Sequence, residues 1–106
     1  MWSVSRNDLQ MAEGDYGIQL PITVNGTTLT ASDSLRVTIK SHKNGSTIVE
    51  KDYTNIVDNT INFELTAAES ALLQVGVYVY SLDWYQHGLF LCNIIPLGLF
   101  KVVDKA

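Results

Sequence analysis

The residues that could support nucleophilic catalysis lie close together in the second half of the chain. Cys92 is the single cysteine, and Asp83 and His87 precede it. In a Cys/His site the thiolate must be accessible beside a cationic imidazole that activates it. Cys92 lies instead within an apolar stretch, where a buried cysteine usually acts as a small hydrophobe. We therefore expect no catalytic residues and no enzymatic activity.

Histidines and carboxylates offer two possible metal sites. His42 and His87 could join a carboxylate around zinc, but neither an H-x-H nor an H-E-x-x-H spacing is present, and both are expected in solvated turns. Asp8, Glu13 and Asp15 carry the oxygen ligands that calcium prefers, without the spacing of a calcium loop. The prediction is that there is no metal site and no cofactor, and calcium near the amino terminus is a weaker alternative.

Aromatic residues next to hydrogen-bonding side chains suggest a sugar-binding site. Trp84 and Tyr85 follow Asp83 at the end of a predicted strand. Exposed aromatic faces can stack on sugar rings while polar neighbours bind the hydroxyls. The competing interpretation places the large ring of Trp84 in the core, and strand alternation favours it and leaves Tyr85 on the opposite face. A carbohydrate-binding module that uses Trp84, Tyr85 and Asp83 is thus the alternative function.

Length and composition limit the class of protein. The chain has 106 residues, of which 46% are hydrophobic and 17% charged, and we expect one domain over 1–106. Seven Lys and Arg against eleven Asp and Glu leave a net charge of −4 and no basic patch, which argues against nucleic acid as a partner. A single cysteine excludes an internal disulfide and any site with several thiolates.

Two segments bear on membranes and export. The apolar stretch 89–103 is interrupted by Asn93, Pro96, Gly98 and Lys101, and it is shorter than the roughly 20 apolar residues of a spanning helix. The first residues, MWSVSRND, lack the apolar core of a signal peptide. We therefore expect no membrane partner and no signal peptide.

Strand patterns dominate the chain. β-Branched and aromatic residues are abundant, and these types favour strands. Asn25-Gly26 and Asn44-Gly45 are typical hairpin turns. The alternating or apolar runs predict strands over 17–24, 35–41, 46–53, 60–65, 77–85, 89–95 and 99–103. The predicted fold is all-β, an immunoglobulin-like two-sheet antiparallel β-sandwich.

One short helix is predicted over about 66–73. Thr66 as N-cap and Glu69 three residues later form a capping box, which satisfies two amide donors at the start of the helix. Gly76 allows the chain to leave it. A helix of about two turns is not stable alone, so we expect it to dock through Leu72 and Leu73.

The stretch from Leu89 to Ile95 is the most apolar part of the chain. Regular alternation would put odd-numbered positions from Leu89 on one face and even-numbered positions from Phe90 on the other, and both sets are mostly apolar. A sandwich core covers one face only. An exposed apolar patch usually marks an interface.

The apolar side chains on the face that the core does not cover predict a subunit interface and a homo-oligomer. The residues expected to make the contacts are Leu89, Leu91 and Tyr85. The amino-terminal segment 2–9, with Trp2, is expected to act as an arm.

The order of turns, caps and strands resembles a known family. The residues that carry the resemblance are Gly14-Asp15, Ile18 to Gly26, Val37-Thr38-Ile39-Lys40, Asn44-Gly45, Lys51-Asp52, Phe63, Leu65-Thr66, Glu69, Leu73, Gly76, Tyr78, Tyr80, Gly98, Phe100 and Val102. Over roughly 14–103 the pattern is similar to the amino-terminal domain of phage baseplate upper proteins and related small phage structural proteins.

The resemblance implies a β-sandwich and a non-enzymatic role. A member of this family is a structural protein of the virion, in the tail or baseplate, that docks onto other virion proteins. The implied localisation is the virion, after synthesis in the cytoplasm of the bacterial host.

Overall fold

A computed structural model describes residues 3–5, 8–17, 20–24 and 28–104. Within these ranges the chain forms eight strands and one short helix. Their bounds are β1 (Ser3–Ser5), β2 (Asp8–Ala12), β3 (Leu20–Thr23), β4 (Asp33–Lys40), β5 (Thr47–Tyr53), β6 (Thr60–Phe63), α1 (Ala67–Ser70), β7 (Gly76–Gln86) and β8 (Leu89–Val103).

The strands form two sheets, which confirms the predicted all-β sandwich. The larger sheet has six strands in the order β1-β2-β8-β7-β4-β5, and the smaller pairs β3 with β6. One pairing departs from the predicted antiparallel arrangement, because β2 runs parallel to β8 with Leu9 opposite Phe100. Parallel strands need a long connection, and here most of the chain lies between the two partners.

The core lies between the two sheets, where alternation works as predicted. In β4, Leu35, Val37 and Ile39 are buried on the inner face. Their partners on β7 include Tyr80 and Leu82, which are also buried. Cross-strand neighbours share a face, so these strands together bury a continuous apolar layer. The buried hydrophobic residues are Leu9, Met11, Val24, Leu29, Leu35, Val37, Ile39, Val49, Ile61, Phe63, Leu65, Leu73, Tyr80, Leu82, Phe100 and Val102.

The smaller sheet differs from the prediction at its first turn. The Asn25-Gly26 turn lies in residues 25–27, which are outside the described residues. A hairpin turn there would pair β3 with the next strand, β4, but β3 pairs with β6 instead. Pro21 is exposed and lies on an edge strand, as expected for a residue that cannot donate to a ladder. The Asn44-Gly45 turn is confirmed, since β4 and β5 form an antiparallel hairpin around it.

The helix is shorter than the predicted 66–73, but its cap is confirmed. Thr66 Oγ1 accepts from the Glu69 amide at 3.1 Å, and a Glu69 carboxylate oxygen accepts from the Thr66 amide at 2.8 Å. Leu73 is buried, whereas Leu72 is 58% exposed, so docking through Leu72 was wrong. The reason is that the helix ends at Ser70 and the following turn directs only Leu73 inward.

A lysine ties the helix to the larger sheet. Lys51 Nζ in β5 donates to a Glu69 carboxylate oxygen at 2.9 Å and to the Glu64 carbonyl. Burial by itself would raise the pKa of Glu69, but the Thr66 amide and the Lys51 ammonium outweigh it and hold that pKa below its ordinary value. Nowhere in the described part of the chain is there a helix long and apolar enough to cross a membrane.

Candidate functional site

The end of the β7–β8 hairpin is an exposed apolar surface. Leu89 is 73% exposed, Phe90 55% and Leu91 48%, and Cys92 is exposed as well. We name residues 89–93 the hairpin tip. Three consecutive large apolar side chains in water are unusual, because burial of each one would contribute about 1.5–3 kcal/mol. The hairpin tip is therefore the surface that a partner would most favourably cover.

The pairing of β8 with β7 is irregular in and next to the hairpin tip. Strand β8 shifts register against β7 at three points, between Tyr80 and Leu82, between Leu82 and Asp83, and between Trp84 and Tyr85. Each shift adds one residue to β8, as in a β-bulge. Two strands were predicted here, over 89–95 and 99–103. The structure has one strand of 15 residues that covers both ranges.

The same shifts correct the predicted faces of the tip. Phe90 pairs with Tyr85, and both lie on the outer face of the larger sheet. Cys92 pairs with Trp84 on the inner face. Regular alternation had placed Phe90 and Cys92 on one face. That expectation was wrong because the extra residue at Leu91 reverses the order.

Tyr85 anchors the tip to the outer face of the sheet. Phe90 meets its ring edge-on, with centroids 5.7 Å apart and planes at 76°. The guanidinium of Arg36 lies over the Tyr85 ring, with Cζ 4.7 Å from the ring centroid. Arg36 Nη1 also donates to the phenol oxygen of Tyr85 at 3.1 Å. Asp52 accepts from Arg36 Nε at 2.7 Å, and this bond and its negative charge raise the pKa of Arg36. Four strands are thereby linked from Asp52 to Phe90.

Trp84 lies on the inner face, as alternation favoured. Its indole Nε1 donates to Asp33 Oδ1 at 2.9 Å, and its ring packs against the core. Asp33 is buried and also accepts from the Thr30 amide at 2.7 Å. Donation from the Thr30 amide, and next from the Trp84 indole, holds the pKa of Asp33 below its ordinary value. The polar end of Trp84 thus has a partner within the protein.

The three residues of the possible sugar site are not brought together. Asp83 and Tyr85 share the outer face, where the Asn93 amide donates to Asp83. Trp84 faces the other way. Tyr85 carries Arg36 against its ring, which occupies a surface that a sugar would need.

The possible catalytic residues are separated as well. Asp83 lies on the outer face, Cys92 pairs with Trp84 on the inner face, and His87 is exposed in the hairpin turn. Cys92 is exposed rather than buried, so that expectation was wrong, because the tip extends beyond the part of the sheet that the core covers. His42 is exposed in another turn, and no three metal-binding side chains are grouped within the described ranges.

The residues predicted for the interface differ in their exposure. Leu89 and Leu91 are exposed in the tip, and Tyr85 is half-buried beside it. Trp2 lies outside the described residues. Sequence reasoning missed Phe90 and Arg36. Alternation in β4 placed Arg36 outward, but only the pairing of β4 with β7 shows that it meets Tyr85.

Comparisons of the chain with known protein families, with curated proteins and with solved structures found no match.

Proposed function

We propose that this protein is a non-enzymatic structural component of a phage virion, in the tail or baseplate, and that it acts by protein–protein assembly. The observation that carries the proposal is the exposure of Leu89, Phe90 and Leu91 at the hairpin tip. The sandwich fold and the resemblance to baseplate upper proteins supply the virion context. Its partners are other copies of this chain and other tail or baseplate proteins.

The chemistry of the tip favours a protein partner. No charged side chain lies between Leu89 and Ile95, although the whole chain has a net charge of −4. The tip itself therefore adds no charge repulsion between copies. Aromatic and aliphatic side chains at the centre of an interface contribute most of its binding energy. The link from Phe90 through Tyr85 to Arg36 gives the tip a fixed position on the sheet.

Self-association is tested with a tip variant and a matched control. The tip variant carries Leu89→Ser and Leu91→Ser, and the control carries Val57→Ser and Leu72→Ser, which are also exposed apolar residues but lie elsewhere. In sedimentation velocity we expect the wild type and the control to form an oligomer and the tip variant to be monomeric. A wild-type monomer at every concentration would contradict self-association.

The virion role is tested on particles. Phage particles purified from a bacterium that carries the gene should contain peptides of this chain at a fixed ratio to tail proteins in mass spectrometry. Cross-linking within those particles should join the region of the tip to another tail protein. Absence of the chain from intact particles would overturn the virion role.

The carbohydrate-binding module is the second candidate, favoured by the shared outer face of Tyr85 and Asp83. A glycan array screens for it directly, with Tyr85→Ala as the test and Trp84→Phe as the control on the opposite face. Glycan binding that is lost only in Tyr85→Ala would replace the assembly role. Binding of no glycan would remove the module.

A further inference from the structure

A second feature of the outer face lies away from the hairpin tip. A cavity of about 360 Å³ opens on the larger sheet beside the β4–β5 turn. Five residues of its lining have polar side chains on this face or in the turn, namely Thr38 and Lys40 from β4, Ser81 from β7, and Lys43 and Asn44 from the turn, and Val79 and Tyr80 complete the lining. All five side chains carry hydrogen-bond donors.

Short side chains in two paired strands create the base of the cavity. Thr38 lies directly opposite Ser81, and Lys40 lies opposite Val79. Opposite residues of an antiparallel pair have Cβ atoms about 4.5–5.5 Å apart and point to the same side. The two hydroxyl groups are therefore neighbours, and the Lys40 ammonium is on the same face.

A tight turn brings the second lysine to the cavity. The Gly45 amide donates to the His42 carbonyl at 2.8 Å, which closes the turn around Lys43 and Asn44. A Cβ atom at Gly45 would lie only 2.3 Å from the Ser41 hydroxyl oxygen, so a larger residue there would require the Ser41 side chain to rotate away. The turn thus fixes the backbone of Lys43 and Asn44 beside β4.

The charged residues of the cavity lining are both lysines, and the carboxylate of Glu50, which lies opposite Thr38 on the same face, is 3.8 Å from Arg36 Nε. Among the described residues its lining contains no Asp or Glu, and neither Lys40 nor Lys43 forms an ion pair with any of them. By contrast, Arg36 and Lys51 contact carboxylates at 2.7 Å and 2.9 Å. Two ammonium groups beside one cavity repel each other, and an anion between them would remove that repulsion.

We propose that this cavity binds a phosphate or sulfate group, either as the free ion or carried by a larger molecule. The ammonium groups of Lys40 and Lys43 supply the charge, and the Thr38 and Ser81 hydroxyls and the Asn44 amide donate to the remaining oxygens. Charge-assisted hydrogen bonds of this kind are about twice as strong as neutral ones. The site is independent of the proposed assembly role, because the hairpin tip contributes none of its residues.

Titration followed by amide NMR tests the site. Inorganic phosphate, glucose 6-phosphate and glucose are added separately to the 15N-labelled wild type, to Lys40→Met/Lys43→Met, and to Lys101→Met. Lys101 is an exposed lysine of the same sheet that does not line the cavity. We expect phosphate to shift the amides of 38–45 and 79–81 in the wild type and in Lys101→Met. The double variant should bind about tenfold more weakly for each lysine removed.

The arms of the titration separate the ligand sources. Tighter binding of glucose 6-phosphate than of phosphate identifies a sugar phosphate as the ligand class, and equal binding identifies the free anion. Equal phosphate affinity in the wild type and the double variant, or the absence of shifts at these amides, would overturn the proposal. Neither result would affect the sedimentation test of assembly, which uses substitutions at the tip.

Discussion

The two ends of strand β8 are similarly apolar in sequence and have different environments. At residues 99–103, β8 lies between β2 and β7, and Phe100 and Val102 are buried. At the hairpin tip, β7 is the strand that pairs with β8 in the part of the chain that the structure describes, and Leu89 and Phe90 are exposed. Apolar composition thus does not decide burial in this strand. The number of neighbouring strands and the cover of the second sheet decide it.

The pairing geometry differs between the same two regions. Against the end of β7, β8 gains an extra residue at each of three shifts, whereas from Gly76 to Tyr80 the pairing with 98–102 is regular. Bulges bend a strand and interrupt its ladder, and natural proteins often use them to protect an exposed edge. The tip therefore presents apolar side chains on an edge that is poorly suited to adding another regular strand, so we expect its partner to contact side chains.

The largest expected effect compares two phenylalanines of β8. Phe100→Ala removes a fully buried ring and should lower the free energy of unfolding by about 3–5 kcal/mol, through lost burial and a cavity. Phe90→Ala removes an exposed ring and should cost less than about 1 kcal/mol. Urea unfolding of both variants checks the difference. Similar losses for the two would mean that the tip is part of the core.

Sequence patterns predicted the regular part of the fold well. Strands β4 and β7 pair without a register shift, so alternation correctly predicted that Leu35, Val37, Ile39, Tyr80 and Leu82 share the inner face. The capping box of Thr66 and Glu69 was equally readable, because it depends on neighbours in sequence. Both features are local, and local physical preferences determine them.

The strand partners, the bulges of β8 and the contact between Arg36 and Tyr85 depend on residues that are distant in sequence. Strand β3 pairs with β6, and β2 with β8, although no local signal indicates either choice. The third bulge of β8 includes Pro96, but the two nearer the tip, at Leu91 and Ile94, have no glycine or proline signature, so the faces of the tip were predicted incorrectly. The link between Arg36 and Tyr85 joins two strands that are far apart in sequence, and only the sheet order shows it.

A second comparison uses the adjacent aromatic residues of β7. Trp84→Phe removes the indole N–H that donates to buried Asp33, and should lower the free energy of unfolding by about 1–2 kcal/mol. Tyr85→Phe removes only a hydroxyl that accepts from Arg36 on the outer face, and should cost less than about 0.5 kcal/mol. Guanidinium unfolding measures both. The reverse order would show that the outer face contributes more stability than the inner face.

The pH dependence of Asp33 sharpens this comparison. Because the folded state holds the pKa of Asp33 below its unfolded value, the carboxylate stabilises the protein above that unfolded pKa, and this contribution is lost as pH falls through the folded pKa. Asp33→Asn should be less stable than the wild type by about 1 kcal/mol at neutral pH, and the difference should shrink below about pH 4. Urea unfolding at neutral and acidic pH measures it. A difference that grows on acidification would contradict the inferred direction of the pKa shift.

The smallest expected effect concerns the link between the tip and the sheet. A double-mutant cycle of Arg36→Met and Tyr85→Leu isolates the cation–ring contact, which at a partly exposed site should be worth about 0.5–1 kcal/mol. The same cycle with Asp52→Asn in place of Tyr85→Leu measures the ion pair, for which about 0.2–1 kcal/mol is expected. If both coupling energies vanish, the tip is not anchored through Arg36, and its position would have to be fixed by the hairpin backbone alone. A coupling to Tyr85 as large as the one to Asp52 would instead mean that Arg36 positions the apolar tip as much as it neutralises a carboxylate.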